Sequence, residues 1–229
     1  MVSLEIQGDQ MINVLVLGAT GRTGRLIIDE LIKQDSVQIL AGLRKESDKA
    51  RLAHLRKAVR STVIGIEDEG KLQRVLHDHD IDIVVQAIRL REDIPDDALV
   101  QLEQRLRRAF TFSKEFRIVT VGGAGALRLE NGQRFWETDC FPAMTLPRGA
   151  AHAKLRDYLE ESSLKDSWTY LIPPPVYRPD GNRTGSYQRH SPTMAEDFFL
   201  KKEISYADFA LAVADAVVKE WRGTYLISI

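Results

Sequence analysis

Three glycines at three-residue spacing, Gly18-Ala-Thr-Gly21-Arg-Thr-Gly24, stand between an apolar run and the helical pattern Leu26, Ile27, Leu31, Ile32. That arrangement suits an anion. Backbone N–H groups at a helix N-terminus lack partners of their own, and the helix dipole puts partial positive charge there. In such a loop Gly18 permits the turn, Gly21 lets a ligand approach the backbone without a Cβ in the way, and Gly24 lets the helix pack closely on the strand. Thr20, Arg22 and Thr23 complete the loop, which reads as a cradle for a dinucleotide pyrophosphate. The spacing G-x-x-G-x-x-G differs from the G-x-G-x-x-G of ordinary dehydrogenases. At the next strand end, where an NAD-specific fold presents an acid to the ribose hydroxyls, the chain has Leu43-Arg44-Lys45. Arg44 and Lys45 suit a 2′-phosphate, with Arg22 as a third positive group, so NADP(H) is expected over NAD(H). The alternative is a solvated basic turn. Asp68 either meets the adenine or caps the helix that follows it.

The acid–base inventory is thinner. None of the six tyrosines has a lysine four residues later, so the Tyr-x-x-x-Lys pair of simple ketone reduction is missing. Lys154 and Tyr158 occur in reverse order at a spacing that shares one helix face. His152, near the start of the same helix, has a side chain that donates a proton at neutral pH when its pKa is unperturbed. The candidate catalytic residues are therefore His152, Lys154 and Tyr177, each with a structural alternative. Tyr177 and Arg178 project from the rigid stretch Pro173-Pro-Pro-Val-Tyr-Arg-Pro-Asp-Gly181, where the tyrosine could stack on a planar acceptor and the arginine attract its phosphate or carboxylate. A stiff connector reads equally well. Arg89 and Arg91 lie in the loop after the fourth strand and either recruit an anionic substrate or are simply solvated. No metal site is expected.

Alternating elements must position these groups. Apolar runs at 14–17, 37–43, 63–66, 81–86, 117–121 and 169–172 predict six strands, with a last strand at 225–229. Helical patterns run to about residue 34, through Leu52, Leu55 and Val59, through Leu72, Val75 and Leu76, from Asp96 through Leu106, and over 150–162. Strands separated by helices imply an α/β fold with a doubly wound parallel sheet. Its ligand lies at the carboxyl ends of the strands, near the switch point beside the first strand.

Composition bounds the rest. The chain has 229 residues, 44% hydrophobic, which suits one α/β domain over 11–229 with a substrate-covering segment at 175–205; residues 1–10 precede it as an extension. A net charge of −1 from 32 basic and 33 acidic residues speaks for neither nucleic acid nor an anionic membrane. One cysteine, Cys140, excludes an internal disulfide and fits a reducing cytoplasm. No apolar run reaches spanning length. The expected partner is a small planar acceptor, taken by a monomer or a homodimer.

Taken with Val121-Gly-Gly-Ala-Gly-Ala-Leu127, Trp168-Thr-Tyr-Leu-Ile-Pro-Pro174, Gly181-Asn-Arg-Thr-Gly-Ser-Tyr187 and Ile204-Ser-Tyr-Ala-Asp-Phe-Ala210, the glycine loop resembles the atypical short-chain dehydrogenase/reductase group. Its members include NmrA-like proteins, biliverdin-IXβ/flavin reductase and bacterial proteins described as NADH-flavin reductases. The resemblance runs from about Met11 to the C-terminus and implies a Rossmann-like NAD(P)-binding fold. In it, Gly18, Thr20, Gly21, Arg22, Thr23 and Gly24 hold the pyrophosphate, Arg44 holds the 2′-phosphate, and Ala87 and Pro174 flank the nicotinamide half, with Gly122 a further cofactor-binding residue. The chain departs from the pattern after strand four, where Gln86-Ala-Ile-Arg-Leu-Arg91 replaces a glycine-containing loop. After strand five, Gly122-Gly-Ala-Gly125 lacks the serine that flavin reductase-like members present. The resemblance implies an NAD(P)H-dependent oxidoreductase acting on a flavin, quinone or similar planar acceptor, with FMN or FAD as substrate rather than as bound cofactor. An NmrA-like nucleotide sensor without turnover is the alternative. A sugar-nucleotide epimerase is disfavoured by the missing Tyr-x-x-x-Lys.

Overall fold

The computed structural model describes residues 11–55, 58–89, 94–110, 115–162, 164 and 167–229. Arg91 and residues 1–10 lie outside them. Six parallel strands form the centre of the sheet: β1 (Ile12–Leu17), β2 (Val37–Leu43), β3 (Arg60–Val63), β4 (Ile83–Gln86), β5 (Arg117–Val121) and β6 (Trp168–Ile172). β7 (Val176–Arg178) and β9 (Glu203–Ser205) pair with each other in a separate two-stranded sheet, while β8 (Gln188–His190) and β10 (Gly223–Ser228) extend the main one. The order is β3-β2-β1-β4-β5-β6-β10-β8, with β8 antiparallel at the edge. Strand order reverses between β1 and β4, so the crevice beyond their carboxyl ends is the place for a ligand.

Helices cover both faces: α1 (Arg22–Leu31) and α5 (Tyr206–Val218) on one, α2 (Glu69–Asp78), α3 (Ala98–Ala109) and α4 (Leu146–Glu161) on the other. The two-residue period of a strand explains the double burial. In β1, Val14 and Val16 join the cluster containing Ile27, Ile28, Phe209 and Val213, whereas Leu15 and Leu17 join Leu72, Leu76, Leu102 and Leu106. Ile27, Ile28 and Leu31 are fully buried. Burial of each contributes about 1.5–3 kcal/mol, which fixes α1 and the glycine loop at its head.

Several elements differ from the sequence reading. The sequence reading puts the third strand at 63–66, but it ends at Val63: the Ile64 N–H makes a last contact with Leu43 O, and the chain then turns at Gly65, whose carbonyl accepts the Asp68 N–H. The helix through Leu52 is instead a 3-10 segment, Glu46–Leu55, kinked at Leu52. α4 begins at Leu146, four residues before the expected start. Pro147 is tolerated in its first turn because no intrahelical N–H bond is lost there. Gly149 is tolerated because the helix is pressed close: a Cβ would lie 2.6 Å from Trp136 Cβ.

Candidate cofactor and acceptor site

The loop between β1 and α1 is built so that only glycine fits at two positions. Gly18 has φ +78°, and a Cβ there would sit 2.4 Å from the Ala87 carbonyl oxygen at the end of β4. At Gly24 a Cβ would meet Gly18 O at 2.2 Å, so this glycine packs the helix onto the turn itself rather than onto the strand. Gly21 is the N-cap of α1, with no side-chain cap and no acid in the first turn. The Gly21 N–H is used by Gly18 O at 2.9 Å, and the first N–H bonded back into the helix is that of Arg25, to Gly21 O at 3.1 Å. The N–H groups of residues 22–24 therefore face outward without intrahelical partners, which is the condition for holding a pyrophosphate. Thr20 and Thr23 stand half-buried beside them.

Parallel pairing of β1 with β2 sets Leu17 opposite Gly42, so the glycine loop and Arg44-Lys45 leave adjacent strand ends. Arg22, Arg44 and Lys45 are exposed, and none has an ion-pair partner among the described residues. Asp68 caps α2, accepting the Lys71 N–H at 3.0 Å and pairing with Lys71 Nζ at 3.4 Å. The cap bond holds its carboxyl below the ordinary aspartate range.

Beyond Gly18 the switch point continues into Ala87, whose N–H donates to Leu17 O at 3.0 Å. Gln86, buried at the end of β4, accepts the Ile88 N–H on its side-chain oxygen at 3.2 Å and so shapes the loop leading to the exposed Arg89. Gly122 donates to Leu171 O at 2.7 Å, which ties the end of β5 to β6 and leads to the buried Pro174.

His152 lies in α4 against this end of the sheet. Its Nδ1 is 2.9 Å from the Tyr170 hydroxyl, and that hydroxyl donates its single hydrogen to His152 O at 3.1 Å. The direction of the first contact follows the imidazole tautomer. Burial, with the Arg148 charge adding to it, lowers the imidazole pKa to about 4. The expectation of a proton donor at neutral pH is therefore corrected: His152 is a neutral imidazole there. Burial also raises the Tyr170 hydroxyl, which stays protonated.

The other two catalytic candidates are occupied elsewhere. Lys154 is exposed and pairs with Asp96 at 2.6 Å, bridging α4 to the start of α3. Tyr177 does not offer its ring to an acceptor. The ring stacks on Tyr206 with centroids 3.8 Å apart and tilts against Phe209 at 5.2 Å, and its hydroxyl is buried. Arg178 pairs with Glu203 across the two-stranded sheet. Among the described residues no cluster of three or more His, Cys, Asp or Glu could hold a metal ion.

A family model described as NAD(P)H-binding matches residues 18–220, starting on the first glycine of the loop. The chain belongs to the NAD(P)H-binding family. The Bacillus subtilis protein YwnB is 28% identical over 204 residues, 87% of this chain and 89% of that protein. A crystal structure of a proposed NADH-flavin reductase from Streptococcus pneumoniae superposes with a TM-score of 0.71 at 24% identity, covering 95% and 99% of the two chains. A proposed epimerase from Bacteroides thetaiotaomicron gives 0.78 at 20%, covering 96% and 97%. These likenesses show the fold, a Rossmann-like α/β sheet. No helix among the described residues is long and apolar enough to cross a membrane.

Two motifs of this NAD(P)H-binding chain are fastenings. Asp208 in the first turn of α5 accepts the N–H groups of Thr184 (2.9 Å) and Gly185 (2.8 Å), while Ser205 caps the helix by accepting the Asp208 N–H at 2.9 Å and donates its hydroxyl to the Asp208 carboxylate at 2.8 Å. Arg183 reaches Glu30 of α1 at 2.9 Å. The segments 181–187 and 204–210 are thereby tied together and to the helix that carries the phosphate loop. Further along 175–205, Glu196 is locked to Arg156 of α4 by two bonds of 2.8 Å, both side chains fully buried. Sequence spacing carried no sign of these pairs, nor of Gln86 and Tyr170, which read as ordinary strand residues.

Proposed function

We propose that this chain is an NADPH-dependent oxidoreductase that passes hydride to a flavin, quinone or similar planar acceptor, with FMN or FAD entering as substrate. One observation carries the reading. A helix N-terminus built on Gly18 and Gly24 lies beside Arg22, Arg44 and Lys45, three exposed cations without an ion-pair partner among the described residues. Outward N–H groups suit two linked phosphates, and the exposed Arg44 and Lys45 at the next strand end suit a third. The residues fit the cofactor, which would rest on the loop 18–24 with Ala87, Gly122 and Pro174 around its far half. When bound, the nicotinamide supplies a hydride.

The side chains near that far half limit the acceptor. His152 is neutral and engaged by Tyr170, and Tyr170 is itself buried, so neither donates a proton near neutral pH. A conjugated ring suits this environment, because it spreads the incoming negative charge and takes its proton from water; holding two rings in register provides the catalysis. The similarity in fold to the Streptococcus pneumoniae protein supports the same reading.

The test combines binding and turnover. Arg44→Ala should weaken NADPH on the order of ten-fold and leave NADH within about two-fold, since the lost interaction is a charge-assisted bond to the 2′-phosphate. Equal losses for both nucleotides, or wild-type protein that binds NADH at least as tightly, would refute the NADP(H) preference. Absorbance at the nicotinamide band with FMN, FAD and a quinone panel should show steady turnover. Tight binding without turnover would instead assign the chain the sensing role of NmrA-like proteins.

A further inference from the structure

The Tyr177 hydroxyl is a buried side-chain polar atom with no hydrogen bond among the described residues. It cannot swing out to water. Its strand is paired to β9 through Val176–Glu203, Tyr177–Ile204 and Arg178–Ser205, and its ring is held by Tyr206 and Phe209. Those two residues lie in the first turn of α5, and the tyrosine packs with Phe209 on the cluster that buries α1. The Thr23 side chain, second residue of α1, lies beside the hydroxyl but out of bonding geometry. Burial raises the phenol, with Thr23 easing the rise, so the group remains an O–H donor in search of an acceptor. A buried hydroxyl without a partner is costly, and such groups in a folded protein call for an explanation.

We propose that Tyr177 is a positioning residue for the phosphate loop, donating to Thr23 Oγ1 once Thr23 turns its own hydroxyl hydrogen onto a phosphate of the bound dinucleotide. A threonine hydroxyl has one hydrogen and two lone pairs, so it can donate to a phosphate oxygen and accept from the tyrosine at once. The orphaned donor of the free protein is then satisfied only in the complex, and ordering of Thr23 is coupled to occupancy of the cradle. The proposal rests on placing the pyrophosphate at residues 18–24. It concerns the part common to NADPH and NADH, which separates it from the role of Arg44.

Tyr177→Phe keeps the stacked ring and removes only the hydroxyl. The free variant should melt at or above wild type, because a buried unpaired group is gone. The rise in melting temperature on adding NADPH should shrink, and Kd for both NADPH and NADH should increase about 3- to 10-fold, the size of one hydrogen bond. Thr23→Val should lose more, since it removes the phosphate contact together with the tyrosine's acceptor, and the double variant should lose no more than Thr23→Val alone. Three results would overturn the proposal: unchanged affinity in Tyr177→Phe, a lower melting point of the free variant, or losses that multiply in the double variant. A wild-type protein that binds neither nucleotide would overturn the cradle reading itself, and this step with it.

Discussion

Replacing Glu196 by glutamine should cost the fold about 3–5 kcal/mol, the loss expected when one partner of a buried ion pair is neutralised. The Arg156 guanidinium donates to both carboxylate oxygens of Glu196 at 2.8 Å, to Ala126 O at 2.8 Å and to Glu160 at 2.9 Å. Burial disfavours its charge, but Glu196 and Glu160 more than offset this and hold it above the ordinary arginine range. Glutamine keeps one acceptor and turns an N–H₂ toward the guanidinium, leaving Glu160 as the remaining counter-charge. That places the cost at the lower end, about 3 kcal/mol. At about 2–4 °C per kcal/mol for a chain of this length, the melting temperature should fall by roughly 6–12 °C. Glu196 also accepts the N–H groups of Arg128 (2.8 Å) and Thr193 (3.2 Å), which the glutamine oxygen serves only in part. Urea unfolding of Glu196→Gln, Arg156→Met and the double variant measures the coupling. The double variant should be more stable than the sum of single losses predicts by about 1–3 kcal/mol, since no buried charge is left unpaired. A loss below about 1 kcal/mol in Glu196→Gln, or strict additivity, would refute the argument that this pair fastens 191–201 to α4.

His152 should remain neutral through the physiological range: NMR should show its ring titrating near pH 4, and a midpoint near 6.5 would refute the buried placement. Its folded pKa is depressed below the unfolded value, so its contribution to stability is complete above about pH 6.5 and is lost as pH falls toward about 4. Asp208→Asn should destabilise the fold by about 1–3 kcal/mol by weakening bonds to Thr184 and Gly185, with chemical denaturation as the measure. Burial pushes the Asp208 carboxyl up, but Ser205 and the loop N–H groups outweigh it and hold the pKa low. Its stabilisation is therefore present above about pH 4 and lost as pH falls through the folded value. If the wild-type and Asp208→Asn stability curves stay parallel across acid pH, that linkage is wrong.

What was legible in the sequence was local. The glycine loop completes its function within residues 18–24, and the double burial of β1 and β4 leaves an apolar run that a period count can find. Placement across the chain was not legible. Arg117 reads as a polar residue at a strand start. In the structure its buried guanidinium caps the C-terminal end of α5, donating to Ala216 O (2.9 Å), Val217 O (2.7 Å) and Trp221 O (3.0 Å), about a hundred residues away. No spacing rule records such a bond. The same holds for Arg183 and Glu30, and for Tyr177, whose ring is engaged by α5 and therefore not open to an acceptor.

The missing serine after β5 and the neutral His152 are consequences of one packing arrangement. A Cβ at Gly122 would lie 2.6 Å from Leu171 O and 2.9 Å from the Tyr170 ring, and one at Gly123 would lie 2.6 Å from His152 Cδ2. A serine hydroxyl at either position thus requires Tyr170 or His152 to move. The present chain instead fills that space with a histidine–tyrosine pair bonded to each other. Returning a serine to position 122 or 123 would disrupt the pair before it added a donor. The end of β5 can therefore present a hydroxyl or enclose His152 against Tyr170, but not both in this geometry. Having taken the second course, it offers no proton there at neutral pH, and an acceptor that needs one from the protein would be poorly served. That physical choice ties the proposed planar acceptor to two glycines.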